Sequence, residues 1–147
     1  MNVYLEQLYH YNCDSCQRWW SVSDISPQIG RQVHCVHCSQ LNTVEKIRVK
    51  PESLSLEEIS KRSDKLFAIA SADKIDTKKV LAYLHKEVES AQYEYIESEQ
   101  IFYGEAPSAT GVWTRAKSLE ACRDELLEVL EDWLIVGIAK GHELPGF

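Results

Sequence analysis

Cys13-Asp14-Ser15-Cys16 and, eighteen residues further on, Cys35-Val36-His37-Cys38 set two CxxC pairs in one short stretch of chain. Each CxxC turn aims two sulfurs to the same side, so two such turns complete a tetrahedral shell around a single ion. The spacing points to a zinc site, with Zn2+ held in a structural role by Cys13, Cys16, Cys35 and Cys38. Four sulfurs leave no coordination position for water or substrate. Paired disulfides and a thioredoxin-like redox pair are the rival readings. A redox motif is a lone CxxC near a βαβ pattern, whereas these two pairs lie in a segment dense in Tyr, Trp, Val and Ile. His34, just before the second pair, and His37, inside it, are alternative ligands, though four sulfurs already fill the shell. Zinc contributes roughly 10–16 kcal/mol to modules of this kind, so the segment is expected to unfold without metal.

Around the cysteines, Tyr9 to Asn12, Arg18 to Ser23, Gln32 to Cys35 and Asn42 to Val49 read as short strands. The segment between the pairs is expected to run out and back as a hairpin, turned by Ser26-Pro27 and Gly30. These features define a zinc ribbon over residues 1–50. Trp19 and Trp20 are neighbours on one strand and so face opposite sides, one filling the small core and the other open for stacking on a base or anchoring a protein.

Lys46 to Pro51 reads as a connector leaving the ribbon, and residues 51–91 as a helical segment. Ser55 with Glu58 makes a capping box before Leu56, Ile59, Leu66, Phe67 and Ala70, which predicts one helix to about Ser71. Asp76 caps a second, with Ile75 and Val80 placed for a hydrophobic staple and Val80, Leu81, Leu84 and Val88 in one stripe. Two consecutive short helices raise a helix-turn-helix, but no glycine-type turn separates them and the recognition face would be mixed in charge.

From Tyr93 the apolar period changes to two, and three strands follow: Tyr93 to Ser98, Ile101 to Glu105 and Val112 to Ala116, broken by Ala106-Pro107 and Thr110-Gly111. Ser118 then caps a long helix with the stripe Leu119, Cys122, Leu126, Val129, Leu130, Trp133 and Ile138, closed by Gly141 and Pro145. The fold class is α+β: an N-terminal zinc ribbon, a helical connector, and over residues 92–147 a three-stranded antiparallel sheet covered by a long helix.

The 147 residues carry a net charge of −7. The first 50 hold five basic and four acidic side chains and the remainder eleven and nineteen, so the acidity lies in the second part. An acidic domain is a poor general binder of phosphate backbones and a suitable binder of basic proteins. Ordinary solubility accounts for the same balance. The first dozen residues mix Asn2, Glu6, Gln7 and His10 among apolar ones, unlike a secretory leader, and the longest apolar run, Trp133 to Ala139, is too short for a bilayer. With metal-spaced thiols, the expectation is a soluble, reducing, cytoplasmic setting and no membrane. Cys122, inside the helical stripe, reads as a buried core thiol.

Phe102-Tyr103-Gly104-Glu105-Ala106-Pro107, then Gly111-Val112-Trp113, then Lys117-Ser118-Leu119-Glu120-Ala121-Cys122 and the helix through Trp133-Leu134 form an ordered series that resembles the HicB-like antitoxin domain. The resemblance spans residues 92–147 and implies a cut-down, degenerate ribonuclease H-like fold. It implies protein binding: such antitoxins mask a small basic HicA-like toxin, an mRNA-cleaving ribonuclease. On this reading Glu105, Pro107, Gly111 and Trp113 of the loop and its flanks, with Glu120, Asp124, Glu128 and Glu131 of the helix, are the candidate partner contacts. Self-association through a sheet edge, with the strand near Tyr93 as the edge, is a further expectation. Members usually carry a DNA-binding segment after this domain. The sequence ends at Phe147 without one, so autorepression through such a segment is not expected.

An alternative function follows from the ribbon, which precedes the resemblance. Arg18, Arg31, Lys46 and Arg48 beside Trp19 or Trp20 would make a nucleic-acid surface, with the second half as a dimerisation scaffold, or the ribbon would dock to a larger assembly. Catalysis is not expected. Glu94, Glu97 and Glu105 lie on or beside strands without clustered aspartates for two metal ions, the glycines are scattered singly, and Cys122 and His142 sit in a stripe and a turn.

Overall fold

The computed structural model describes residues 1–3, 8–23 and 28–147, which form two compact units, Met1–Ile47 and Arg48–Phe147. In the first, β1 (Tyr9–Asn12) and β2 (Trp19–Val22) pair antiparallel, Tyr9 opposite Val22 and Asn12 opposite Trp19. β3 (Gln32–His34) and β4 (Leu41–Thr43) pair likewise, Gln32 opposite Thr43. Each CxxC is therefore the turn of its own hairpin. The expected hairpin between the two pairs does not form, because β2 and β3 lie in separate two-stranded sheets. The cause is local: Gln17 N donates to Cys13 O and Ser39 N to Cys35 O, each at 2.9 Å, and these bonds fold each strand back on its neighbour. The Ser26-Pro27 turn lies outside the described residues. Gly30, at φ +85°, donates to Val44 O at 2.8 Å, a left-handed turn that only glycine adopts without strain.

The stretch Asn42 to Val49, expected as one strand, is divided. β4 ends at Thr43, Val44 bonds back to Arg31, and β5 (Ile47–Val49) joins the sheet of the second unit, so the boundary between units falls inside β5.

That unit continues with α1 (Leu56–Arg62), α2 (Asp64–Ala72), α3 (Thr77–Ser90), β6 (Gln92–Ile96), β7 (Ile101–Glu105), β8 (Trp113–Ala116) and α4 (Leu119–Lys140). Local signals set the helix ends. Ser55, Asp76 and Ser118 accept from the amides of Glu58, Lys78 and Ala121, and Gly141 closes α4 at φ +66°. The single helix expected to Ser71 is two helices. Ser63, wholly buried between them, leaves helical geometry and donates its hydroxyl to Glu131 Oε1 at 2.6 Å, a tertiary bond that no local propensity encodes. The segment 51–91 packs into this unit: Leu54, Ile59, Leu66, Ala70, Val80, Leu84 and Val88 share one core with α4.

The sheet has four strands in the order β5-β6-β7-β8, not three, so the strand of Tyr93 is interior. β5 and β8 are the outer strands among the described residues. On the face under α4, Tyr93, Gly104 and Thr114 lie side by side, all buried. The missing side chain at Gly104 is required: a Cβ there would stand 2.9 Å from the Tyr93 ring and 3.1 Å from Cys122 Sγ. Thr114 Oγ1 donates to Cys122 O at 3.0 Å, holding α4 to β8.

The core stripe of α4 differs from the sequence expectation. Cys122, Leu126, Leu127, Leu130, Leu134 and Gly137 are buried, whereas Val129 is 37% exposed, Val136 48%, and Trp133 half-buried. Leu130→Ala is expected to cost about 2–5 kcal/mol, Gly104→Ala about 1–3 kcal/mol by crowding, and Val129→Ala only about 0.5 kcal/mol. Urea unfolding measures all three. Equal losses at positions 129 and 130 would contradict this placement of the helix.

Candidate metal centre and interaction surface

The two knuckles are built alike. Besides the turn bonds already given, Cys13 N donates to Arg18 O at 3.1 Å and Cys35 N to Gln40 O at 2.9 Å. Gln17 and Ser39, each the residue after its pair, both take a positive φ, 61° and 63°. The knuckles bring Cys13 Sγ to 3.7 Å from Cys38 Sγ and Cys16 Sγ to 3.7 Å from Cys35 Sγ, with all four sulfurs within 4.8 Å of one another. A disulfide needs about 2.05 Å, so these are not disulfides. A tetrahedron with metal–sulfur bonds of about 2.3 Å has edges of about 3.8 Å, which the cross-knuckle pairs match. Asn42 Nδ2 donates to Cys13 Sγ at 3.5 Å and His37 N to Cys35 Sγ at 3.3 Å, bonds that favour thiolate. The four cysteines are thus positioned to bind a metal. Such an S4 set suits zinc or iron. The histidines are otherwise engaged: His34 Nδ1 lies 3.2 Å from Ser39 O, and His37 Nε2 lies 3.1 Å from Trp19 O.

Without metal, the thiols differ. The amide of Cys16 is the main influence lowering Cys13 to about 6. Burial works to raise Cys35, but the amides of Cys38 and His37 outweigh it and leave it lowered. At Cys38 the backbone bond from Gln40 lowers the value, yet burial and the neighbouring sulfurs outweigh it and push it up to about 11. The last proton must be displaced by the ion.

Trp19 and Trp20 face opposite sides as expected. Trp20 is half-buried and stacks on Tyr11, centroids 5.4 Å apart, while Trp19 is 65% exposed. Arg18 and Lys46 are exposed and Arg31 partly so. Arg48 is exposed on β5, in the second unit, and donates to Gln92 Oε1 at 3.0 Å.

In the second unit, Glu105 and Trp113 are register partners on the sheet face away from α4, and Trp113, 51% exposed, stacks on Tyr103 at 6.0 Å. Pro107 and Gly111 are exposed on the β7–β8 loop. That loop is pinned from beneath, where Ser108 N donates to the buried carboxylate of Glu87 at 3.1 Å. Of the four helix carboxylates, Glu120 and Glu128 are exposed. Asp124 and Glu131 are not free contacts. Asp124 is held by Arg62 at 2.8 Å and Arg123 at 3.1 Å. Glu131 takes the Ser63 hydroxyl, and burial raises its carboxyl against that bond. Both residues face α1 and α2 because α4 uses this side to hold the helical segment.

One surface escaped the sequence reading. Val129, Trp133 and Val136 of α4, with Val112 and Leu144, line a groove of about 640 Å³ whose polar side chains are Thr110, Asp132, His142 and Glu143. The signal was present in the i, i+4, i+7 spacing of 129, 133 and 136, a second apolar stripe beside the core ladder. Cys122 is buried with Sγ near Thr114, while His142 is exposed. Among the described residues, the cysteine tetrad is the group of three or more side chains that could hold an ion, and no helix is long and apolar enough to cross a membrane.

The second unit is thus an antiparallel sheet covered by helices, preceded by a cysteine-clustered module. Residues 82–145 match the model of a family described as UPF0150-like, a match consistent with a HicB-like antitoxin domain. No curated protein and no solved structure matches the chain.

Removing metal with a chelator is expected to erase the dispersed amide signals of the first unit while those of residues 48–147 persist. Because the thiols span about 6 to about 11, apparent metal affinity should rise with pH across that interval and fall on acidification. A pH-titrated metal competition measures it, and a flat profile would contradict the thiolate assignment.

Proposed function

We propose that the chain is a HicB-like antitoxin, or a regulator derived from one, that binds and neutralises a small basic HicA-like mRNA-cleaving toxin in the cytoplasm. The family match over residues 82–145 carries this reading. The acidic balance of the second part supports it, since a partner that holds RNA phosphates presents cations that carboxylates can take. In this account the sheet and α4 are a degenerate ribonuclease H-like domain, Glu105, Pro107, Gly111, Trp113, Glu120 and Glu128 are its partner contacts, and zinc is the structural ion of residues 1–50. The outer strands β5 and β8 are the places for self-association.

The exposure of Trp19 favours a second reading, in which the ribbon is an adaptor for nucleic acid or a larger assembly and uses Arg18, Arg31, Lys46 and Trp19.

Affinity capture of the tagged, metal-loaded protein from its own cells, with mass spectrometry of what co-purifies, separates the two. The antitoxin reading expects one small basic ribonuclease in a stable complex. Nucleic acid without such a protein, bound in a salt-sensitive way and lost on Trp19→Ala, would support the adaptor and contradict the antitoxin.

A further inference from the structure

The α4 helix carries two apolar stripes, and the fold covers one. Cys122, Leu126, Leu130 and Leu134 lie under the core, while the second stripe has Val129 and Val136 exposed on the outward side, with Trp133 between them half-buried and packed against the core edge. Opposite that stripe the chain builds a wall. Gly137 lets Leu144 seat against the helix, since a Cβ there would run into the Leu144 side chain, and Gly141 turns the chain so that residues 142–145 come back alongside. Tyr83 fixes this return by donating its hydroxyl to Pro145 O at 3.0 Å. Val112, buried and bonded to Ala106 and Ala109, supplies a rigid end to the groove. The apolar walls are thus preformed by packing on both sides.

The rim has a sign. Asp132 and Glu143 are in the lining beside His142, and no lysine or arginine is; outside the lining, exposed Glu128 lies one turn of α4 before Asp132 and exposed Lys140 one turn after Val136. An elongated apolar trough beside a helix, edged with carboxylates, fits an amphipathic helix that presents apolar side chains at i, i+3 or i+4 and i+7 with lysine or arginine flanking them. We infer that this groove receives a basic amphipathic helix of the partner protein. The inference rests on the antitoxin reading for the partner's class and adds to it the surface and the kind of element that docks.

The test uses the full metal-loaded chain and an eighteen-residue helical Leu/Lys peptide, with a Leu/Glu peptide of the same apolar pattern as control. Binding is followed by amide chemical shifts in wild type and in Val136→Arg, a change at an exposed position whose fold circular dichroism verifies. The expected result is saturable shifts at Val129, Val136 and Gly111 with the Leu/Lys peptide alone, weakened at least tenfold by Val136→Arg. Shifts elsewhere, equal response to the Leu/Glu peptide, or indifference to Val136→Arg would overturn the groove assignment. The same variant is then used to capture the basic protein from cells. Capture by wild type but not by Val136→Arg supports the inference. Equal capture by both would overturn it and leave the antitoxin reading standing, whereas no basic protein with wild type would overturn both.

Discussion

The second unit depends on the close approach of α4 to the sheet at Gly104. There the Tyr93 ring and the Cys122 sulfur occupy the space that any side chain would need. Once α4 lies in that position, its remaining contacts follow from helical geometry. The ladder from Cys122 to Leu134 faces the core, Asp124 and Glu131 turn toward Arg62 and Ser63, Trp133 packs at the core edge, and Val129 and Val136 are left outside. A helix of 22 residues offers more apolar side chains than this core can cover, and the surplus is the groove. Packing and the proposed docking site thus have one origin.

The first unit has no comparable core. Its strands are three or four residues long, and among its described residues only Cys13 and Cys35 are buried. Strands this short cannot hold two separate hairpins in place through hydrophobic burial. A metal ion bound by the four sulfurs, which lie within 4.8 Å of one another and come from both hairpins, would do it instead. That leaves Trp19 exposed on a module whose formal charges nearly cancel.

What was legible in the sequence was local. The CxxC spacing gave the cysteine cluster, Ser55, Asp76, Ser118 and Gly141 marked helix ends, and the period-two pattern from Tyr93 marked β6 to β8. What escaped has its cause far along the chain. β5 is a three-residue strand whose Arg48 finds Gln92 forty-four residues on. The break at Ser63 answers to Glu131, sixty-eight residues away. The expected stripe of α4 differs at Val129, because Val129 fits an apolar face as well as Leu127 and Leu134 do. Only the packed sheet decides between them.

If the chain is the antitoxin proposed above, it silences a basic ribonuclease by binding it. The most direct measurement is cleavage of an mRNA by the isolated basic partner, followed as increasing amounts of the metal-loaded chain are added. The account predicts that cleavage stops once the chain is stoichiometric with the nuclease. Unchanged cleavage at saturating chain, with the two proteins still bound, would contradict it.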